Sequence, residues 1–307
     1  ATISEAIGKI GETDLGRYLS KTFREDLNTT DLESLLWRFL ADEVYGLYEK
    51  VPTDARAILE AYLGRYDVAN IKAALRKIAS ATSEPIVGFP LGSIYAHGKL
   101  SQLLESTSLE EVCNLLSTIS MKHYSTIIER SPDRIRLELD LENKYYSSLL
   151  QISKKVGDYC ISHFVGTLVD LASLLMIVRG VARGKSVAEY ELRNCYALNP
   201  NEMNKFRATT DIEGVLSVLT KTYYHRLGSK LAEAYSQNHD VAILENLMND
   251  YLYQVANEEF LVSVFSPGHI FGYLLLRERE AKRAVMALKA VEEQVPYEKY
   301  AKYFAGE

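Results

Sequence analysis

The chain has 307 residues, 47% hydrophobic and 25% charged, with a formal net charge of −6. That is enough apolar material for two or three ordinary domains or one elongated array, and the acidic balance argues against a general nucleic-acid binder, which would carry a basic face. Three cysteines, Cys113, Cys160 and Cys195, are odd in number and widely spaced, so buried thiols in a reducing cytoplasm are expected rather than a disulfide framework or a zinc ribbon.

In chain order, residues 1–14 show neither a basic start nor an apolar run, so no signal peptide is expected there. Asp31 reads as a helix cap, followed by Leu32, Leu35, Leu36, Phe39, Leu40, Val44 and Leu47 on one helical face. A second helical segment carries Asp67, Asn70, Ile71, Leu75 and Arg76. Glycine and proline cluster over 84–98 and predict an irregular connection. Ser108 before Leu109, Glu110 and Glu111 predicts a capping box. The stretches 133–199 and 201–266 contain no proline. The longest apolar run, 164–178, holds 15 residues and Asp170, too short and too polar to span a membrane, which takes about 20 residues.

Farther on, Asn199-Pro200-Asn201 and Ser266-Pro267-Gly268 predict turns, and Asp211 predicts another helix start. Strand patterns and hairpin turn signals are nearly absent. The fold class expected is all-α.

The chain is internally repetitive. Asp67, Asn70, Ile71, Leu75 and Arg76 match Asp170, Ser173, Leu174, Val178 and Arg179 at an offset of 103. Glu280, Arg283, Ala284, Leu288 and Lys289 form a third, eroded copy a further 110 residues on. The offset of 103 also carries Thr107-Ser108-Leu109-Glu110 onto Thr210-Asp211-Ile212-Glu213. Within each copy, aliphatics four apart share a helix face, whereas the acid and the cation nine apart lie on opposite faces. The charged members must therefore find partners on neighbouring helices or face solvent. Three helical-bundle repeats are expected, at 1–98, 99–198 and 199–307.

No catalytic constellation is legible. The six histidines (97, 123, 163, 225, 239 and 269) form no helix-borne zinc pattern. Gly184-Lys185-Ser186 ends like a phosphate-binding loop, but Arg179 stands where that loop needs its first glycine, and a helical run replaces the required strand. Gly180 and Gly184 read instead as a helix end. The abundant tyrosines suit helix packing and interfaces. No cofactor or metal site is expected.

These motifs resemble, in order over roughly residues 14–300, the C subunit of archaeal-type (A/V-type) rotary ATPases, the counterpart of the d subunit in eukaryotic V-ATPases. Tyr66, Asp67, Asn70, Ile71, Lys72, Leu75 and Arg76 look like that family's Asp-x-x-Asn-(Ile/Leu)-(Lys/Gln)-x-(Leu/Ile)-x-Arg signature. Residues 266–280, with Pro267, Tyr273, Arg277, Glu278 and Glu280, are similar to its closing turn and helix, and Phe39, Val44, Tyr45 and Gly46 to its early Tyr-Gly segment. Two departures stand out: Ser173 replaces the usual Asn, and the family's opening Arg-Val-Arg helix is not evident in residues 1–14.

The resemblance implies three similar bundles around a pseudo-threefold axis, funnel-shaped. It implies a non-catalytic, peripheral protein on the cytoplasmic face of the membrane, touching the membrane only through its partners. Those partners would be the membrane rotor ring below and the central shaft above, in a machine that couples proton or sodium transport to ATP synthesis or hydrolysis; no nucleic acid is expected. The repeat signature Asp67, Asn70, Arg76, Asp170, Arg179, Glu280 and Lys289 is then expected to be scaffold that ties neighbouring helices together, with direct partner contact as the alternative. Two other readings remain: a helical-repeat adaptor for other proteins, and a helical enzyme, which would require clustered, perturbed titratable groups in a cleft.

Overall fold

The computed structural model describes residues 13–22, 28–80, 86–131, 133–190, 195–262 and 266–295. Residues 1–12, to which the expectations of no signal peptide and no Arg-Val-Arg helix refer, lie outside them, as do 84 and 85 of the glycine- and proline-rich connection. Every regular element among the described residues is a helix.

The first helices are α1 (Asp14–Thr22), α2 (Thr29–Tyr48) and α3 (Thr53–Ser80). Shorter ones follow: α4 (Ser93–Ala96), α5 (Leu100–Glu105), α6 (Leu109–Thr118) and α7 (Lys122–Arg130). Then come the long pair α8 (Arg134–Val156) and α9 (Tyr159–Ala182), and the short α10 (Val187–Tyr190), α11 (Pro200–Arg207) and α12 (Ile212–Leu219). The chain continues through α13 (His225–Asn238), α14 (Val241–Val262) and α15 (Gly268–Glu292).

The caps refine the expected boundaries. Asp31 is not the cap of α2: Asn28 is, and Asp31 is its reciprocal partner, the two forming a capping box. Ser108 caps α6 as expected, but the Glu111 carboxylate accepts from the Thr107 amide rather than from that of Ser108, so it reaches one residue beyond a capping box. Asp211 caps α12 through the Gly214 amide, and Pro200 opens α11 behind a second capping box at Asn199. Gly184, at φ +68°, ends α9, and the Lys185 amide donates back to the Gly180 carbonyl. Gly180 itself is inside the helix, so one glycine ends it rather than two.

The described residues divide into two compact units, one within 1–141 and 277–304, the other within 142–276. In the first, Leu15 and Leu19 of α1 and Leu32, Leu36 and Phe39 of α2 bury against Ala284, Val285 and Leu288 of α15. In the second, α9 is the central element, with Ile161, Phe164, Val165, Leu174, Ile177 and Val178 all buried, packed along α14. By length and composition α9 is the one described helix apolar enough to cross a membrane. Its 24 residues exceed the 15 of the apolar run read from sequence, yet most of it is buried inside the unit. All three cysteines are free; Cys113 is buried, whereas Cys160 and Cys195 are only half-buried.

Helices α6 and α7 begin at 109 and 122, and α12 and α13 at 212 and 225, each 103 residues later. Both pairs cross through a small residue. On α7 it is Ser125, whose hydroxyl donates to the Cys113 carbonyl at 3.0 Å. On α13 it is Gly228, where an added Cβ would fall 2.8 Å from the Thr220 backbone nitrogen. Alanine at 228 gains helix propensity of about 1 kcal/mol but forces the two helix backbones apart, a strain of about 1–3 kcal/mol. Gly228→Ala is therefore expected to lower the urea midpoint of unfolding rather than raise it.

Candidate functional site

Asp67 lies in the middle of α3 and is almost fully buried. Its carboxylate accepts hydrogen bonds from the backbone amides of Ser93 (2.9 Å) and Ile94 (2.8 Å) at the start of α4. Gly92, at φ +89°, makes this approach possible: a Cβ there would stand 2.6 Å from the carboxylate oxygen. One turn on, the fully buried Asn70 clamps the backbone of a single residue, donating to the Phe89 carbonyl at 2.9 Å and accepting the Phe89 amide at 2.8 Å. Phe89 in turn packs against Trp37 and Tyr66. One face of α3 thus holds the connection over 89–94 by its backbone. Burial pushes the Asp67 carboxyl up to about 6, against the pull of the two amides.

Asp170, in the middle of α9, repeats the arrangement. It is fully buried and accepts the amides of Tyr196 and Ala197, both at 2.7 Å, and the Tyr224 hydroxyl at 2.8 Å. Its amide donors lie 26 and 27 residues downstream, the same separations as from Asp67 to Ser93 and Ile94. Burial raises the Asp170 carboxyl and also, strongly, the Tyr224 phenol. Ser173, at the position of Asn70, is fully buried but too short to clamp a peptide, and its hydroxyl has no hydrogen-bond partner.

The cations of the signature pair with other helices. Arg76 meets Glu138 of α8 through two nitrogens, at 3.0 and 2.5 Å, and Lys72 and Arg134 approach the same carboxylate. Burial would raise the Glu138 carboxyl, but these cations outweigh it and hold it below its usual value. Arg179 meets Glu245 of α14 in the same two-pronged way, at 2.6 and 2.7 Å. Lys289 on α15 stands 2.6 Å from Glu33 of α2. In the third copy the acid behaves differently: Glu280 is half-buried and pairs with Arg277 of its own helix at 2.9 Å. Arg277 also reaches Asp14 and Glu43.

Residues outside the predicted set complete the arrangement. Glu33, Glu138 and Glu245 are spaced by 105 and 107 residues, close to but not at the offset of 103 that revealed the cations, so the repeat points only to their vicinity. Tyr224 and Gly92 give no such signal, because their roles depend on a packed neighbour. Glu278, inside the closing motif, is buried and pairs with Arg65, whose guanidinium lies over the rings of Tyr62 and Tyr66 at 4.1 and 4.8 Å. A cleft of about 620 Å³ opens between α2 and the segment 86–101. Its one carboxylate, Asp31, is committed to the cap of α2. Among the described residues no three metal-ligating side chains converge.

The family described as ATP synthase (C/AC39) subunit is matched over residues 1–303. The chain belongs to that family. It is similar to the A-type ATP synthase C subunit of Methanocaldococcus jannaschii, 27% identical over 94% of this chain and 75% of that protein. The corresponding protein of Methanothermobacter thermautotrophicus is 25% identical over 82% of this chain and 68% of its own length. That of Desulfurococcus is 24% identical over all of this chain and 83% of its own. As a C/AC39 member the chain is a non-catalytic part of an A/V-type ATPase and associates with that membrane-bound complex.

Within this C/AC39 chain the two clamps differ in a measurable way. Asn70→Ala leaves both the amide and the carbonyl of Phe89 without a partner, at about 1–3 kcal/mol for each group left buried. Ser173→Ala removes a hydroxyl that has no partner and is expected to be neutral or stabilising; urea unfolding of the two variants side by side checks this. For Asp67, a folded value near 6 against the ordinary 3.8 means that stability is greatest below pH 4 and is lost as pH rises through 6. The displacement corresponds to about 3 kcal/mol. Relative to Asp67→Asn, the parent chain is expected to lose about that much stability between about pH 3 and pH 7, read from denaturant titrations at each pH.

Proposed function

We propose that the chain is the rotor-coupling piece of its ATPase, seated on the cytoplasmic side between the membrane rotor ring and the central shaft. In this reading it forms three similar bundles, 1–98, 99–198 and 199–307 with helices shared between them, around a pseudo-threefold axis, and its funnel receives the foot of the shaft. The observation that carries the reading is the order of the three ion pairs. Helices α2 and α3, α8 and α9, and α14 and α15 are consecutive in the chain. The cation near the end of each second helix pairs with the acid on the first helix of the next set: Arg76 with Glu138, Arg179 with Glu245 and Lys289 with Glu33. The last pair returns to the first set, so the connections form a closed cycle of three. A closed cycle suits a socket that bears load on all sides, and a strip of unrelated contacts does not.

Scaffold is the role proposed for Asp67, Asn70, Arg76, Asp170, Arg179, Glu280 and Lys289, since the partners described above are in this chain. Contacts to ring and shaft would then be made by other, surface side chains of polar character, which permit release as well as grip. Reconstitution with the shaft proteins and the detergent-solubilised ring tests the seating. A stable ternary complex is expected, with three lobes in a low-resolution envelope; binding to neither component overturns it, and recovery of non-ATPase partners from native extract would favour an adaptor role instead.

A further inference from the structure

In the second unit, one face of α9 carries Tyr159, His163, Gly166 and Asp170 at helical spacing. Tyr159 is 74% exposed, and its ring lies nearly parallel to that of His163, with centroids 5.9 Å apart. The His163 Nδ1 is 2.9 Å from the Glu259 carboxylate of α14. Tyr196 lies directly on the helix at Gly166, where an added Cβ would fall 2.1 Å from the Tyr196 ring. The Tyr196 amide donates to Asp170 at 2.7 Å and the Tyr224 hydroxyl donates to the same carboxylate at 2.8 Å, which brings the turn that carries Tyr223 to the same part of α9. Tyr223 is 56% exposed and stands edge-on to the buried Tyr224, which stands edge-on to Tyr251 of α14. Burial, Tyr223 and Glu258 in turn raise the Tyr251 phenol.

Exposed tyrosines in such a cluster are characteristic of binding surfaces rather than of ordinary solvent-facing helices. The segments 157–170, 195–204 and 249–262 that build this face hold six acidic residues and no lysine or arginine; Asp170 and Glu259 are buried and paired within the chain, whereas Glu258 is exposed. Lys221 and Arg226 flank the turn that carries Tyr223 and are the nearest cations to it in sequence.

We infer that this aromatic and acidic face docks a lysine- or arginine-bearing segment of a partner protein, with cations over the rings of Tyr159, Tyr196 and Tyr223 and with Glu258 as counter-charge. The chemistry follows from the patch: ring faces attract cations, the carboxylates supply long-range attraction, and half-exposed rings offer apolar area to the methylene stems of lysine and arginine. A negatively charged partner or an anionic lipid surface would meet repulsion here. The inference needs only a cationic partner and is independent of the seating proposed above.

The test uses the full chain and a labelled synthetic helix bearing lysine and arginine along one face, with the same helix carrying glutamate at those positions as the contrast. The basic helix is expected to bind, more weakly as salt is raised, and the glutamate helix is not. The double substitution Tyr159→Ala with Tyr223→Ala is expected to weaken binding by about tenfold or more. Glu258→Gln should weaken it and flatten its salt dependence, and Tyr95→Ala, an exposed tyrosine of the other unit, should leave it unchanged. Thermal melts of the variants check that these surface substitutions leave the fold intact. Failure of the basic helix to bind overturns the inference. So does preference for the glutamate helix, or equal binding by the Tyr159 and Tyr223 double variant, which would mark diffuse attraction to a chain of net charge −6.

Discussion

A carboxylate buried in the middle of a long helix is costly unless its lone pairs are used, and the structure depends on two such groups being used alike. Asp67 and Asp170 each take two consecutive backbone amides from a chain segment 26 and 27 residues downstream. An unpaired buried carboxylate costs several kcal/mol, so each helix is stable with its segment in place and poor without it. The clamp therefore does more than join two elements. It fixes by backbone, not by side-chain packing, where the segment re-enters after α3 and after α9, and with it the start of the short helices that follow. Gly92 shows how tight the fit is, since any side chain there would displace the carboxylate it serves.

The outer ion pairs act at a different scale. Arg76 and Arg179 are about half exposed, and pairs of that kind contribute little to stability individually. Their two-pronged geometry instead fixes which helix lies beside which and in what register. In the third copy the described residues use the acid differently. Glu280 has turned to its own helix, and a buried pair two residues earlier, Glu278 with Arg65, ties α15 to α3. The Arg65 guanidinium over two tyrosine rings supplies the compensation that backbone amides supply to Asp67 and Asp170.

The helical class is legible in the sequence because the pattern is strongly periodic and strand signals are missing. Asp67 and Asp170 are legible because the offset of 103 exposes them as one position met twice. Their actual partners are not. A backbone amide leaves no trace in residue identity, and Tyr224 reaches Asp170 across 54 residues with no repeat spacing to point to it. Periodicity places the cap of α2 on Asp31 rather than Asn28 because both are good capping residues, and the reciprocal pairing that separates them is a matter of geometry. Glu138 and Glu245 are within reach of the repeat, which places an acid near each position, but a solvated helix face rich in acids hides which one faces the arginine.

Stiffness and contact are separated in this chain. The groups that specify the scaffold turn inward: two carboxylates on backbone amides, one amide clamp on Phe89 and one guanidinium between rings. None can shift without leaving a buried charge or a buried amide unmet, so each has a single favoured arrangement rather than a range of them. Contact surfaces obey the opposite requirement, because a part that must engage and release needs side chains whose partners can be exchanged for water at little cost. The exposed tyrosines around Tyr159 and Tyr223, proposed above as a docking face, suit that requirement, because water satisfies their hydroxyls when no partner is bound. A non-catalytic member of a rotary machine can be selected on these two properties alone, and in this chain they fall on different residues.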